Sequence, residues 1–402
     1  MKIAIVCFNL KWQAGGARLI FSLAHGLMDL GHRVFIYTPE FDEGVFPDLR
    51  KGLDIRVVPQ ARSFDWTENP PSFIGKIFHK IREERFHVAV AKNIALSIDR
   101  DFEVVNLHDF AYKVGFFYKK INHRAKIVWT ENDPPFSHLP KKGVIRNAAS
   151  RIFNSIKEYS ERKYLNAMDS VVVLDFYNRN WAARRGLHPV VVRSGVDFET
   201  FYSPVKHISA HQKSIRILGI GALNVYRRFE DIIGAVKLLR SWGYDARALI
   251  VCKDIWRQKE YRAYLEQLVV KEKLDDCVTF KFEGVSHEEL KIAYRESDVF
   301  VLPIYLPSPR NGYGWGLSNF EAMAAGLPLV ICNTSTAMEV LRDGEHALAV
   351  RPMDPGDIAQ KVKMLMDDPV LYRRITEQGQ RFVREHISWV NYCKEMVNIF
   401  TR

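Results

Sequence analysis

Two tandem doubly wound α/β domains are what this sequence predicts, and three observations predict them. Short β-branched runs alternate with longer helical patterns along nearly the whole chain, the signature of parallel sheets covered by helices on both faces. The alternation breaks once, in the polar stretch after Val196-Asp197, and then restarts. A length of 402 residues suits two compact units rather than one, at roughly 100–200 residues per domain.

The elements follow in order. Lys2–Phe8 reads as a first strand, because its apolar run stops too early for a signal peptide or a membrane span. Gly15-Gly16 leads into a helix over Ala17–Leu30, which ends at Gly31 before a strand over Arg33–Tyr37, a βαβ unit with ordinary punctuation. Further strands are expected at Ile55–Val58, Val88–Ala91, Val104–Leu107, Lys126–Trp129, Val171–Leu174 and Val190–Arg193, and helices at Ala111–Ile121, Val144–Asn166 and Tyr177–Arg185. Ser203-Pro204 and the polar run His211–Ser214 mark a linker. Beyond it, strands at Ile215–Ile220, Ala248–Val251, Val278–Phe282, Val299–Pro303, Leu329–Ile331 and Leu348–Val350 alternate with helices at Glu230–Trp242, Tyr261–Glu272, His287–Arg295, Phe320–Ala325 and Gly356–Met366. Ligands of such sheets bind at the carboxyl ends of the strands, here in a cleft between the two domains.

Composition excludes several classes. Hydrophobic residues at 47% and charged residues at 26% are ordinary globular values, against disorder or a coiled-coil rod. Five scattered cysteines without C-x-x-C spacing argue against a disulfide framework or a zinc knuckle and for a reducing, cytoplasmic compartment. The net charge is +11, with 30 Lys+Arg against 22 Asp+Glu in residues 1–200 and 28 against 25 in the rest. Such a field predicts an anionic partner: nucleic acid, a phospholipid surface or a phosphorylated ligand. No binding motif accompanies the charge, so nucleic acid is not expected.

The chemistry concentrates in Tyr313-Gly314-Trp315-Gly316-Leu317-Ser318-Asn319-Phe320-Glu321, followed by Ala322-Met323-Ala324-Ala325-Gly326-Leu327-Pro328. A glycine-rich loop after a strand opens a helix, so backbone N–H groups and the helix dipole converge on one point that suits a diphosphate. Glu321, about one turn into that helix, carries an acceptor-only carboxylate suited to a ribose diol and unsuited to phosphate.

At these residues the chain resembles the retaining glycosyltransferases of the GT-B fold, in particular family 4, whose signature runs E-G-F-G-L-S-x-x-E-A-M-A-x-G-x-P. The likeness extends over nearly the whole chain: Gly15-Gly16, Gly31-His32-Arg33-Val34, Asn106-Leu107-His108-Asp109, Ser194-Gly195-Val196-Asp197, Asp298–Pro303, and Glu339 with Asp343-Gly344 follow in order. Gly15-Gly16-Ala17-Arg18-Leu19 is similar to the opening of mannosyltransferases that extend lipid-linked oligosaccharides, although their usual Glu is absent here.

The resemblance implies an α/β protein of two tandem doubly wound Rossmann-like domains with a cleft between them. Residues 1–200 would form an acceptor-side domain, onto which a helix over 386–402 packs back, and residues 210–385 a nucleotide-sugar domain. The activity implied is transfer of a hexose, with retention and without a metal or other cofactor, from a nucleoside diphosphate sugar to a glycan or lipid-linked acceptor in envelope or surface polysaccharide or glycolipid assembly. His108 and Arg227 take the catalytic positions. Gly15, Gly16, Arg228, Tyr313, Gly314, Trp315, Gly316, Leu317, Ser318 and Glu321 take donor-binding ones.

Two positions depart from the family pattern. Within Gly221–Arg228, Ala222 stands where the family has an Arg on the diphosphate, and Arg227 where it has a Lys, with Arg228 beside it as a second guanidinium. Tyr313 replaces the first Glu of the signature, a neutral phenol in place of a carboxylate. These changes keep two alternatives open: a nucleotide-sugar or glycan binding protein without transfer activity, and a GT-B sugar epimerase.

Gly219–Asn224 imitates a dinucleotide fingerprint without its third glycine. Asp99-Arg100-Asp101 spells a metal-type Asp-x-Asp in what reads as a polar connector. Lys113, Lys119, Lys120, Arg124 and Lys126, and seven cations between Lys141 and Lys163, are solvated helix faces in the plain reading. Interleaved with Phe116, Phe117, Tyr118, Ile145, Ile152 and Phe153, they are also the candidate for peripheral contact with an anionic membrane surface.

Overall fold

The computed structural model of the chain describes residues 1–12, 15–61, 64, 72–132, 144–209, 212–254, 257–305 and 315–402, without the side chains of 73, 74, 76, 77 and 144–154. It divides into two compact units, Met1–Arg193 with Tyr392–Arg402, and Ser194–Asn391.

The first unit holds strands β1 (Lys2–Val6), β2 (Arg33–Thr38), β3 (Asp54–Val57), β4 (Val104–His108), β5 (Lys126–Glu131), β6 (Ser170–Val173) and β7 (Pro189–Val191). They form one parallel sheet in the order β3-β2-β1-β4-β5-β6-β7. Because side chains alternate across a strand, the register sets Ala4, Val105, Ile127 and Val6, Leu107, Trp129, Val171 on one face. These residues share a core with Val90, Ala91, Ile94 and Ala95 of helix Phe73–Ser97, Val114 and Tyr118 of helix Lys113–Tyr118, and Tyr164 and Leu165 of helix Val144–Leu165. These helices, with Trp181 and Ala182 of helix Phe176–Ala183, cover that face.

The strand expected at Val88–Ala91 is part of helix Phe73–Ser97. A short apolar run does not separate strand from helix by itself. What decides is the longer spacing: Val90, Ala91, Ile94, Ala95 and Ile98 are buried, an i, i+1, i+4, i+5, i+8 stripe of helical period. Ser72 caps its start by accepting from the Gly75 N–H at 3.0 Å.

The second unit holds β8 (Ser214–Ile220), β9 (Asp245–Val251), β10 (Val278–Lys281), β11 (Val299–Leu302), β12 (Leu329–Cys332) and β13 (Leu348–Val350), again all parallel, in the order β10-β9-β8-β11-β12-β13. Helix Pro369–His386, which the sequence reading left unassigned, begins at a proline behind Asp368. The Asp368 side chain accepts from the N–H groups of Val370 and Leu371, the N-cap arrangement.

The segment Ser194–Asp197 is structural. The Val196 N–H donates to the Ile387 carbonyl at 3.1 Å. A Cβ on Gly195 would lie 2.1 Å from the Ser388 carbonyl carbon, so only glycine fits. Asp197 caps helix Phe198–Phe201. Asp298 is structural too: buried, it accepts from the Arg216 N–H at 2.8 Å and pairs with Lys206 at 3.2 Å.

The last helix, Trp389–Thr401, returns the chain to the first unit, where Cys393 packs on helix Gly15–Asp29. A Cβ on Gly26 would meet the Cys393 Sγ at 2.3 Å and its Cβ at 3.2 Å. Gly26→Ala is therefore expected to lower the unfolding free energy by about 1–3 kcal/mol through overpacking. Cys393→Ala in the same chain should restore much of that loss, and a double-mutant cycle of urea denaturation showing no coupling would disprove the contact.

Candidate active site

In each sheet the strand order reverses at one point, between β1 and β4 in the first and between β8 and β11 in the second. Connections leave these neighbours in opposite directions, which opens a crevice at their carboxyl ends. The sequence candidates fall there. Gly15 and Gly16 follow β1 and His108 ends β4; Arg227 and Arg228 follow β8, and Trp315–Glu321 follow β11. Tyr313 and Gly314 lie outside the described residues.

In the first unit, His108 is 2% exposed. Its neighbour two residues earlier on the same strand face decides its chemistry. Asn106 donates through Nδ2 to the Val128 carbonyl at 3.2 Å and to Thr130 Oγ1 at 2.9 Å. A carbonyl only accepts, so the amide nitrogen must face Val128 and Oδ1 must face His108. Oδ1 then accepts from His108 Nε2–H at 2.9 Å, leaving Nδ1 as a bare lone pair that is buried and without a hydrogen-bond partner. Burial pushes the imidazole pKa down to about 3. His108 is thus a neutral acceptor, built to receive a hydroxyl proton in a hydrogen bond and not to supply a proton. Asn106 is the residue the sequence reading quoted without a role; its signal was the period-2 spacing to His108.

Gly15 and Gly16 start helix Gly15–Asp29, are exposed, and a Cβ on either would touch nothing within 4 Å. Among the described residues no packing demands glycine at these positions.

In the second unit, Arg227 ends the short 3-10 turn Val225–Arg227 that Asn224 caps through the Tyr226 N–H. Its side chain lies over Gly221, where a Cβ would come within 2.9 Å of Nε. Arg227 Nε and Nη1 are buried and have no hydrogen-bond partner. The loop after β11 reaches the same place, since the Tyr305 N–H donates to the Tyr226 carbonyl at 2.9 Å.

Arg228 does not act as the spare guanidinium that the sequence suggested. It sits at φ 57°, ψ 40°, and its Nε and Nη2 hold Asp231 at 3.0 and 2.7 Å while Nη1 holds Glu230 at 2.7 Å. All three nitrogens are committed to carboxylates at the start of helix Phe229–Ser241. Arg227, beside it, has no carboxylate partner among the described residues.

Helix Leu317–Ala324 opens at Gly316, in the left-handed region at φ 70°, with no side chain capping it. A Cβ on Gly316 would also press on Asn319 Nδ2 at 2.8 Å. Asn319, 1% exposed, has both amide atoms buried without partners; the sequence reading passed over it, and its signal was a polar residue at a variable position of the motif. Leu317 and Ser318 supply the first amides of the helix and are half-buried. Glu321 is 4% exposed and its Oε2 accepts from the Tyr294 hydroxyl at 2.9 Å, which fixes the carboxylate's orientation. The Trp315 side chain is wedged: buried against Phe320 with ring centroids 4.6 Å apart, it donates through Nε1 to the Ser194 carbonyl at 3.0 Å.

Two sequence features resolve into structure. Asp99 and Asp101 pair with Lys2 Nζ at 3.4 and 2.5 Å, as a polar turn would. Lys113 is a core residue: its Nζ donates to Glu161 at 2.8 Å and also to Glu84, and Glu161 accepts from the Tyr112 hydroxyl at 2.9 Å. Among the described residues no group of three or more His, Cys, Asp or Glu side chains is disposed to hold a metal ion.

Two outcomes follow for His108. Imidazole 15N NMR should show one tautomer, protonated at Nε2, and Asn106→Ala should release a mixture; a wild-type ring protonated at Nδ1 would refute the lock. The folded pKa of about 3 lies below the unfolded value, which is about 6.5. The unfolded chain therefore binds more protons in that window, and stability is complete above it and falls as pH drops through it. His108→Gln should flatten the slope by about 1.4 kcal/mol per pH unit, read from urea unfolding at successive pH values; an unchanged slope would contradict a buried neutral ring.

The comparisons with known proteins cover the chain from end to end. The model of Glycosyltransferase Family 4 matches residues 14–200 and that of Glycosyl transferases group 1 matches residues 205–382. An uncharacterized glycosyltransferase of Methanocaldococcus jannaschii is 23% identical, with 100% of this chain and 98% of that protein aligned. The MMP alpha-(1->4)-mannosyltransferase of Mycolicibacterium hassiacum is 29% identical over 100% of this chain and 98% of its own. Among solved structures, Anabaena HepE in complex with UDP and glucose superposes with a TM-score of 0.71 at 15% identity, covering 100% of this chain and 99% of that one. The chain belongs to glycosyltransferase family 4, with the GT-B architecture of two α/β domains in tandem.

Proposed function

We propose that the chain is a retaining, metal-independent hexosyltransferase that moves a hexose from a nucleoside diphosphate sugar to a hydroxyl of a glycan or lipid-linked acceptor, in the assembly of envelope or surface polysaccharide or glycolipid. The observation that carries this reading is Arg227, a guanidinium whose Nε and Nη1 are buried and unpartnered at the carboxyl end of β8. A buried donor without an acceptor costs stability, and a diphosphate supplies the missing acceptors. The UDP held by the similarly folded HepE is a ligand of that class.

In this reading the uncapped amides of helix Leu317–Ala324 and Arg227 receive the diphosphate, Glu321 the ribose, and His108 Nδ1 a hydroxyl of the sugar. The bond between the anomeric carbon and the phosphate oxygen breaks, and its electron pair goes to the leaving diphosphate. The acceptor oxygen bonds to the anomeric carbon on the same face, and its proton passes to the departing phosphate oxygen. Arg227 and the helix amides gain most where negative charge grows, which is where catalysis is needed.

A second reading, donor binding without transfer, draws on Ala222 and on the capture of Arg228 by Glu230 and Asp231, which withdraw two family-expected cations from the diphosphate. One variant separates the two. Arg227→Met should cut sugar transfer by roughly 100–1000-fold while raising the melting temperature of the free protein, since two buried donors without acceptors are removed. Undiminished transfer would overturn the site. Donor binding by calorimetry with no transfer or hydrolysis across an acceptor panel would establish the binding protein, and an epimer formed from the donor alone would establish the epimerase. Activity that survives EDTA and yields a product anomer matching the donor checks metal independence and retention.

A further inference from the structure

The helical layer over one face of the first sheet sorts its charges by direction. Helix Phe73–Ser97 carries Glu83 and Glu84, and helix Val144–Leu165 carries Glu158 and Glu161, so the sequence alone reads both as mixed-charge helices. None of these carboxylates is exposed. Glu84 and Glu161 turn inward onto Lys113, and Glu158 pairs with Arg185 at 2.7 Å.

The cations turn outward. Arg85, Lys92, Arg162 and Lys163 are exposed, and no ion pair holds them among the described residues. Large apolar side chains stand between them: Phe78 at 63% exposure and Leu96 at 65% on the first helix, Ile156 at 65% and Tyr159 at 74% on the second. Positions 78, 81, 85, 89, 92 and 96 are exposed in turn, as are 156, 159 and 163, so each set forms one stripe at helical spacing. Both helices pack by their opposite sides into the same core with Leu107, Ile127 and Val171. The stripes therefore belong to one outer surface of the unit.

From this we infer that the outer face of these two helices docks on an anionic lipid bilayer. Charge complementarity selects the occupant: exposed cations without exposed carboxylates, interleaved with aromatic and aliphatic side chains, match a surface that offers phosphate headgroups above acyl chains. The sequence offers two runs as the membrane candidate, Lys141–Lys163, which supplies Arg162 and Lys163 to this face, and Lys113–Lys126. There Lys113 and Tyr118 are buried, Lys119 pairs with Asp169 at 2.8 Å, and Phe116 packs edge-on against Tyr164 at 5.2 Å. Among the described residues no helix is long and apolar enough to cross a membrane, so the contact is superficial. The inference goes beyond the proposed transfer reaction and needs neither donor nor acceptor to be tested.

The experiment is co-sedimentation of the full chain with vesicles of phosphatidylcholine alone and of phosphatidylcholine mixed with phosphatidylglycerol. Binding is expected only to the mixed vesicles and should weaken as salt rises. Replacing Arg85, Lys92, Arg162 and Lys163 by Gln should weaken it about five-fold per residue, and Phe78→Ser with Tyr159→Ser should weaken it further at constant charge. All six positions are exposed, so unchanged melting temperatures confirm that folding is intact. Equal partition onto both vesicle types, or variants that sediment as the wild type does, overturns the inference. So does a vesicle-free dimer, seen by analytical ultracentrifugation, that the same substitutions dissolve, because the face would then belong to a second copy of the chain.

Discussion

The parallel run of every strand in both sheets is the constraint from which the rest follows. Parallel neighbours cannot be joined by a tight hairpin; each connection must cross a face of the sheet, almost always as a helix, and crossovers of one hand force the order to reverse where the chain changes direction. The reversal leaves a crevice at the carboxyl ends of two adjacent strands. In the first unit this fixes where Gly15 and His108 emerge, and in the second it fixes Arg227 and the start of helix Leu317–Ala324. Chemistry-bearing residues far apart in sequence are gathered without any contact having to bring them there.

Burial of both sheet faces sets a second condition, because polar groups at strand ends must then be satisfied or left waiting. Glu321 is answered by Tyr294, Asp298 by Lys206 and Arg216, and Lys113 by Glu84 and Glu161. Among the described residues, buried side-chain atoms without a hydrogen-bond partner occur in both units, on Arg50, Arg185 and Gln378 for example, and they include three groups that lie where the strand order reverses or on the helix that follows β11: His108 Nδ1, Arg227 Nε and Nη1, and the Asn319 amide. An unmet donor costs roughly 1–3 kcal/mol. A ligand that answers the groups at the strand ends recovers that cost there.

How much of this was legible in the sequence depends on whether a signal was local. Strand and helix alternation, the Gly316 turn and the position of Glu321 are all written in a window of a few residues. The helix through Val88–Ala91 was not, since its decisive stripe extends to Ile98, beyond the apolar run that caught attention. Arg228 misled for a different reason: a cation beside the expected one looks like a substitute until its partners Glu230 and Asp231, in the next helical turn, are known to take it. The tautomer of His108 was half legible. Asn106 stands two residues away on the same face, but only the Val128 carbonyl, from a strand some twenty residues further on, fixes which way its amide points.

The same distinction governs the net charge of +11. A formal count treats all cations alike, whereas the field outside a protein comes from those that remain unpaired. Lys113 and Arg228 are spent on carboxylates within the fold and contribute mainly to its order. Arg227 is half-buried, with Nε and Nη1 shielded from water and no carboxylate partner among the described residues, and a reduced dielectric there strengthens its pull on a neighbouring anion. Arg85, Lys92, Arg162 and Lys163, exposed on the outer helices, act through water with a screening length of about 8 Å, so each is weak alone and they matter as a group spread over a surface. A diphosphate calls for the first arrangement and a bilayer for the second. The two proposed partners would thus draw on one excess of positive charge by different physics.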